Sequence, residues 1–137
     1  MSVKSYRELE VWQLSMELSE AVYAVVGELP SSERFALSDQ LRRAVVSIPS
    51  NIAEGFGRNT TKDFLHYLSM ARGSLCEVDT QLELASRIWR VPVTELNKMI
   101  ERVGMMLNAL STKLKNRMSS NAPITSHESR DTNCEHD

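Results

Sequence analysis

Apolar residues recur at helical spacing along most of the chain, in four blocks separated by polar breaks. In the first block, "YRELEVWQLSMELSEAVYAVVGEL", one stripe runs Val11, Leu14, Leu18, Val22, Val25 and Leu29. Another runs Leu9, Trp12, Met16, Tyr23 and Val26, with Ser19 filling a gap. The stripes lie about 200° apart around a helix. The first helix, expected over about residues 6–28, is therefore apolar on two nearly opposite faces.

After Pro30, serines suited to an N-cap precede Leu37, Leu41, Ala44, Val45, Ile48, Ile52 and Phe56, which predicts a helix over about 33–57. Pro49 interrupts this run. A proline inside a helix removes one hydrogen bond and crowds the carbonyl four residues back, here that of Val45. One helix kinked near Ile48 is expected, with Ser47 and Ser50 placed to satisfy the freed groups. The third block, Phe64, Leu68, Ala71, Leu75, Val78, Leu82, Ala85 and Trp89, steps alternately by four and three. That heptad seam predicts a helix over about 61–90, roughly 45 Å long. Ala71, Gly73 and Ser74 form a small-residue patch where another helix can approach, and Leu65, Tyr67, Met70 and Leu84 add apolar groups off the seam. The fourth helix, over about 93–117, is expected to start near Pro92 and continue through Leu96, Met99, Ile100, Val103, Met106, Leu107, Leu110 and Leu114. Lys113, Lys115 and Arg117 are expected in its last turn, opposite the helix dipole.

Four long helices with short connections predict an all-α, up-down-up-down antiparallel four-helix bundle over residues 1–118. Residues 119–137, "SSNAPITSHESRDTNCEHD", are polar and aperiodic, and a disordered tail is expected there. A bundle needs one buried stripe per helix, so the surplus apolar positions predict a homo-oligomer.

Composition changes this picture little. A hydrophobic share of 42% and a charged share of 25% are ordinary for a globular domain, and 137 residues fit one domain. The first 30 residues carry charges throughout and no uninterrupted apolar run, so no secretory leader or membrane span is expected, and the expected location is cytoplasmic. Cys76 and Cys134 are too few and too separated for a disulfide framework. Charge is uneven: residues 1–118 hold 15 Lys and Arg against 14 Asp and Glu, net +1, and residues 119–137 hold 1 against 4, net −3.

One stretch invites a chemical reading. "GFGRNTTK", residues 55–62, has two glycines, two bases and paired threonines. A dinucleotide fingerprint needs its glycines after a strand and a third glycine where Thr60 stands; a Walker loop needs Lys-Ser/Thr where Arg58-Asn59 stands. The stretch reads instead as a helix corner, with Gly55 or Gly57 in a left-handed cap and Thr60 to Asp63 as a capping box.

At this corner the sequence "QLRRAVVSIPSNIAEGFGR" (40–58), with "LEVWQLSMELSEAVY" (9–23) before it and "FLHYLSMARGSLCEVDTQLELA" (64–85) after it, closely resembles a four-helix-bundle protein family. That family was first met as reading frames inside intervening sequences of bacterial 23S ribosomal RNA genes. The resemblance covers about residues 6–115. It implies a small bacterial bundle that forms a homopentamer shaped like a barrel or funnel, without known enzymatic activity. The family also looks like the accessory protein of diversity-generating retroelements, which associates with a reverse transcriptase and binds nucleic acid through a basic surface.

The residues themselves show no catalytic or metal constellation. His66 and Cys76 are about 15 Å apart along one helix, no Ser/His/Asp set is legible, and the Glu-x-x-His signature of bundle di-iron sites is missing. No catalytic residue, metal or cofactor is expected. The basic residues are more informative: between Arg34 and Arg72 six stand against Asp39, Glu54 and Asp63, a local +3. Arg42, Arg43, Arg58, Lys62 and Arg72 are the candidate nucleic-acid or anion contacts, repeated around an oligomer. Asp39 and Arg43 also have the spacing of an i, i+4 pair. Gln40, Asn51 and Glu54 are candidates for a structural polar network with Arg43 as a further partner. The expected function is a non-catalytic oligomeric scaffold or adaptor, partnered by its own copies and by RNA or a nucleic-acid-handling protein. The competing expectation is a protein-only assembly module that captures a protein partner through its apolar surface or ring opening.

Overall fold

A computed structural model describes residues 3–33 and 35–121, the side chain of Asn121 excepted. Its body is four helices: α1 (Glu10–Val26), α2 (Leu37–Phe56), α3 (Thr61–Trp89) and α4 (Thr94–Asn121). Single turns of 3-10 helix, Tyr6–Glu8 and Ser31–Glu33, precede α1 and α2. Among the described residues there is no strand, and no helix is long and apolar enough to cross a membrane. α1 packs on α2 and α4, and α3 packs on α2 and α4, with the α2–α3 pairing the most extensive. Arg34 and residues 122–137, with His127, Cys134 and His136, lie outside the described residues. Of the segment expected as a tail, residues 119–121 belong to α4.

The core is built from the predicted stripes. Val11, Leu14, Leu18, Val22, Val25 and Leu29 are buried, as are Leu41, Ala44, Val45, Ile48 and Ile52 of α2. The α3 seam is buried from Leu68 through Ala85, and Leu96, Ile100, Val103, Leu107 and Leu114 complete the core from α4. Each fully buried Leu or Ile contributes roughly 1.5–3 kcal/mol by leaving water. The other α1 stripe is divided: Val26 is buried, Leu9 and Trp12 are half-buried, and Met16 and Tyr23 face solvent.

Helix ends depart from expectation for local reasons. The Ser5 hydroxyl accepts the Arg7 N–H at 3.1 Å, which closes a separate turn, and extended Leu9 delays α1 to Glu10. The serines at 31 and 32 enter the 3-10 turn instead of capping α2; the Glu33 carboxylate accepts the Leu37 N–H at 3.4 Å. Neither Gly55 nor Gly57 is left-handed. That conformation belongs to Arg90, at φ 60°, which caps α3 with its N–H on the Ser86 carbonyl. Pro92 stands before α4, whose first bond runs from Asn97 N–H to the Val93 carbonyl at 2.8 Å. Because α4 continues to Asn121, Lys113, Lys115 and Arg117 precede its last turn.

Pro49 lies buried inside an uninterrupted α2. The Val45 carbonyl that it deprives of a donor lies 3.3 Å from the Ser19 hydroxyl of α1, which shares its one proton between this carbonyl and that of Ser15, at 2.9 Å in its own helix. Ser47 instead donates to Ala44 O, at 2.8 Å, and meets the Ser74 hydroxyl of α3. Backbone repair therefore comes from the neighbouring helix. It ties α1 to α2 at the proline.

Candidate nucleic-acid interface

The corner between α2 and α3 is fixed by backbone and side-chain caps. Gly57 N–H bonds to the carbonyls of Ala53 and Glu54, both at 3.1 Å, and the Thr60 hydroxyl accepts the Asp63 N–H at 3.1 Å, opening α3. Gly55 serves this corner by its size. A Cβ there would lie 2.7 Å from Tyr67 Cβ and 2.9 Å from Phe64 Cδ1, so only glycine lets the helices come this close.

Arg58 projects from the corner onto Tyr67. Its guanidinium carbon lies 4.9 Å from the ring centroid, it donates a hydrogen bond to the Tyr67 hydroxyl, and it pairs with Glu54 at 3.2 Å. The Tyr67 hydrogen bond, and after it the Tyr67 charge, raise the guanidinium above its ordinary pKa; desolvation opposes them, and Glu54 and Asp63 add smaller support. An arginine is charged across the working range in any case, so the contacts set its position. Tyr67 was not legible as its partner from sequence, because the two residues meet only once the corner folds.

The other candidates are spread along the bundle. Arg43 pairs with Asp39 at 3.2 Å and stands 13 residues, roughly 20 Å, before the end of α2. Arg42 is half-buried beside it. Lys62 is exposed in the first turn of α3, and Arg72 is exposed midway along that helix. The polar candidates have separate partners. Asn51 donates to Ser47 O within α2 at 2.8 Å, Glu54 holds Arg58, and Gln40 accepts from Gln81 of α3 at 3.4 Å. Gln81 Oε1 is buried without a partner, so this outer α2–α3 seam is polar and partly unsatisfied. Among the described residues, no three of His, Cys, Asp or Glu come close enough together to hold a metal ion.

Of the candidate cations, Arg58 and Arg43 are exposed and held by partners, and Lys62 and Arg72 are exposed. A groove between α1 and α4, lined by Leu9, Val11, Met106, Ala109 and Leu110, is apolar with Glu10 and Lys113 at its edge. Compared with known families, residues 7–111 match the model described as the 23S rRNA-intervening sequence protein. No curated protein matches the chain.

Proposed function

The chain belongs to the 23S rRNA-intervening sequence protein family, and on that premise we propose that it is a non-catalytic scaffold that self-assembles and serves as an adaptor for RNA or a ribonucleoprotein. In this reading the four helices alternate in direction, up-down-up-down. Pairings support it: Gln40 with Gln81, Ser47 with Ser74 and Gly55 with Tyr67 run in opposite senses along α2 and α3. The short connections to α1 and α4, with Ser19 beside Val45 and Leu75 beside Gly104, fit the same alternation.

The observation that carries the scaffold reading is the apolar surface left after the core has closed. Tyr23 is 48% exposed on α1, Ile88 58% on α3 and Met105 66% on α4, joined by Met16, Met70 and Leu84. Large apolar side chains on the outer faces of three helices are accounted for by further copies of the chain. A pentamer follows from the family resemblance. Cations at the corner supply the adaptor's contact with phosphate.

Light scattering of protein eluting from a sizing column, prepared without nuclease and followed at nucleic-acid and protein absorbance, tests this. The expected result is a mass about five times the 15.5 kDa chain with nucleic acid co-eluting. A monomer at micromolar concentration would overturn the scaffold. The near-neutral charge of residues 1–118, net +1, favours the second reading, a protein-only assembly module. An assembly free of nucleic acid that ignores added RNA at low salt would establish that reading instead.

A further inference from the structure

Summed by level along the bundle instead of along the sequence, the charge separates. Under alternating helices, residues 4–10, 54–63 and 113–121 share one end, the end of the α2–α3 corner. Leu9 and Val11 line one groove with Met106, Leu110 and Lys113, which brings the start of α1 beside the second half of α4. This end holds 7 Lys and Arg against 4 Asp and Glu, net +3. Among the described residues the opposite end, 26–33, 35–43 and 79–102, holds 6 against 7, and the waist between them is net −2. The whole cationic excess of the bundle therefore sits at one end.

Of the four carboxylates at the basic end, Glu54 pairs with Arg58 and Glu8 accepts the Lys4 backbone N–H at 3.3 Å, while Glu10 and Asp63 are exposed. Among the described residues no carboxylate pairs with Lys62, Lys113, Lys115 or Arg117, all exposed. The aromatic rings near this end are engaged with one another or with arginine: Tyr67 lies under Arg58 and against exposed His66, Tyr6 and Trp12 lie under Arg7, and Phe56 meets the edge of Phe64. The exposed lysines and Arg117 are suited to phosphates, contacts that position a partner without reading bases.

We infer that the corner end of the bundle, through Lys62, Lys113, Lys115 and Arg117 around Arg58, is the docking surface for the RNA phosphodiester backbone, and that Arg42 and Arg43 lie outside it. The inference rests on the RNA reading above and assigns that reading a place. Repetition around an assembly multiplies the field of this end.

The test uses the full chain and a fluorescein-labelled oligouridylate, with binding followed by anisotropy over a potassium chloride series. Lys62→Glu/Lys115→Glu and Arg42→Glu/Arg43→Glu change the net charge equally, so a general charge effect moves both alike. The corner-end variant is expected to weaken binding at least about tenfold and to flatten the slope of log affinity against log salt by about 1.4, two single-strand phosphate contacts at about 0.7 each. The Arg42/Arg43 variant is expected to stay within about threefold, since it removes no such contact. Lys62→Gln/Lys115→Gln, with half the charge change, should fall between, and helical circular dichroism confirms folding. Equal losses in the two Glu variants, or a larger loss at Arg42/Arg43, would overturn this placement and leave the RNA reading standing. Absence of binding by the unmodified chain at low salt would overturn the RNA reading and the surface together.

Discussion

Replacing Gly55 by alanine tests the closest approach in the fold. In an exposed helix interior this change stabilises by about 1 kcal/mol, because glycine loses more backbone freedom on folding. At Gly55 the new methyl carbon would stand 2.7 Å from Tyr67 Cβ, 2.9 Å from Phe64 Cδ1 and 3.3 Å from the Phe64 carbonyl oxygen. Carbon atoms prefer about 3.5–4.0 Å. Phe64 can rotate slightly, but Tyr67 Cβ is bonded to backbone, so α3 must move by roughly 1 Å, at a cost of about 1–3 kcal/mol for overpacking. Overpacking outweighs the helix gain, and net destabilisation of up to about 2 kcal/mol is expected. Gly73 supplies the control, since a Cβ there meets nothing within 4 Å and Gly73→Ala should gain most of the helix term. At about 3–5 °C per kcal/mol for a domain of this size, the two variants should melt on opposite sides of the unmodified protein. Thermal unfolding by far-ultraviolet circular dichroism at matched protein concentration reads the difference. A Gly55→Ala protein that melts at or above the unmodified one would refute the close α2–α3 approach.

Two further outcomes follow from the backbone. Ser19→Ala should cost about 1 kcal/mol by leaving the Val45 carbonyl without its donor, but much less in a Pro49→Ala background, where the restored N–H serves that carbonyl; a double-mutant cycle by urea denaturation with no coupling would sink the account. Arg90→Gly should raise the melting temperature, with up to about 1 kcal/mol gained by relieving the left-handed residue at φ 60°; an unchanged or lower value would argue against that cap.

The four helices were legible because their apolar periods are long and regular. Leu68 through Ala85 illustrate this, with every seam position buried. The Thr60 cap was legible too, since its hydroxyl stands three residues before the N–H that it accepts. Where one residue type suits several local structures, the reading drifted. Serines that cap helices also enter short 3-10 turns, as at Ser31, and glycines that end helices also permit close packing, as at Gly55. The left-handed cap at Arg90 carried no sequence signal, because arginine has no preference for that conformation. The candidate site was less legible. The stretch from Asp39 to Arg72 runs from one end of the bundle to the other and back, whereas Lys62 and Lys113–Arg117 share an end through α3 and α4, segments far apart in the chain. Tyr67 and Gln81 became partners of Arg58 and Gln40 only through the α2–α3 pairing.

The corner joining α2 to α3 spans only Gly57–Thr60, and it connects the two helices that share the most extensive pairing. In kinetic terms, those contacts form at little loop-closure cost, so this hairpin is expected to be structured in the folding transition state, ahead of the docking of α1 and α4. Ala44→Gly in the hairpin should then slow folding, whereas Leu107→Ala in α4 should chiefly speed unfolding, as stopped-flow chevrons would show. The reverse pattern would place the nucleus elsewhere. With the hairpin formed first, the Val45 carbonyl that Pro49 leaves without its helical donor meets the Ser19 hydroxyl only when α1 docks.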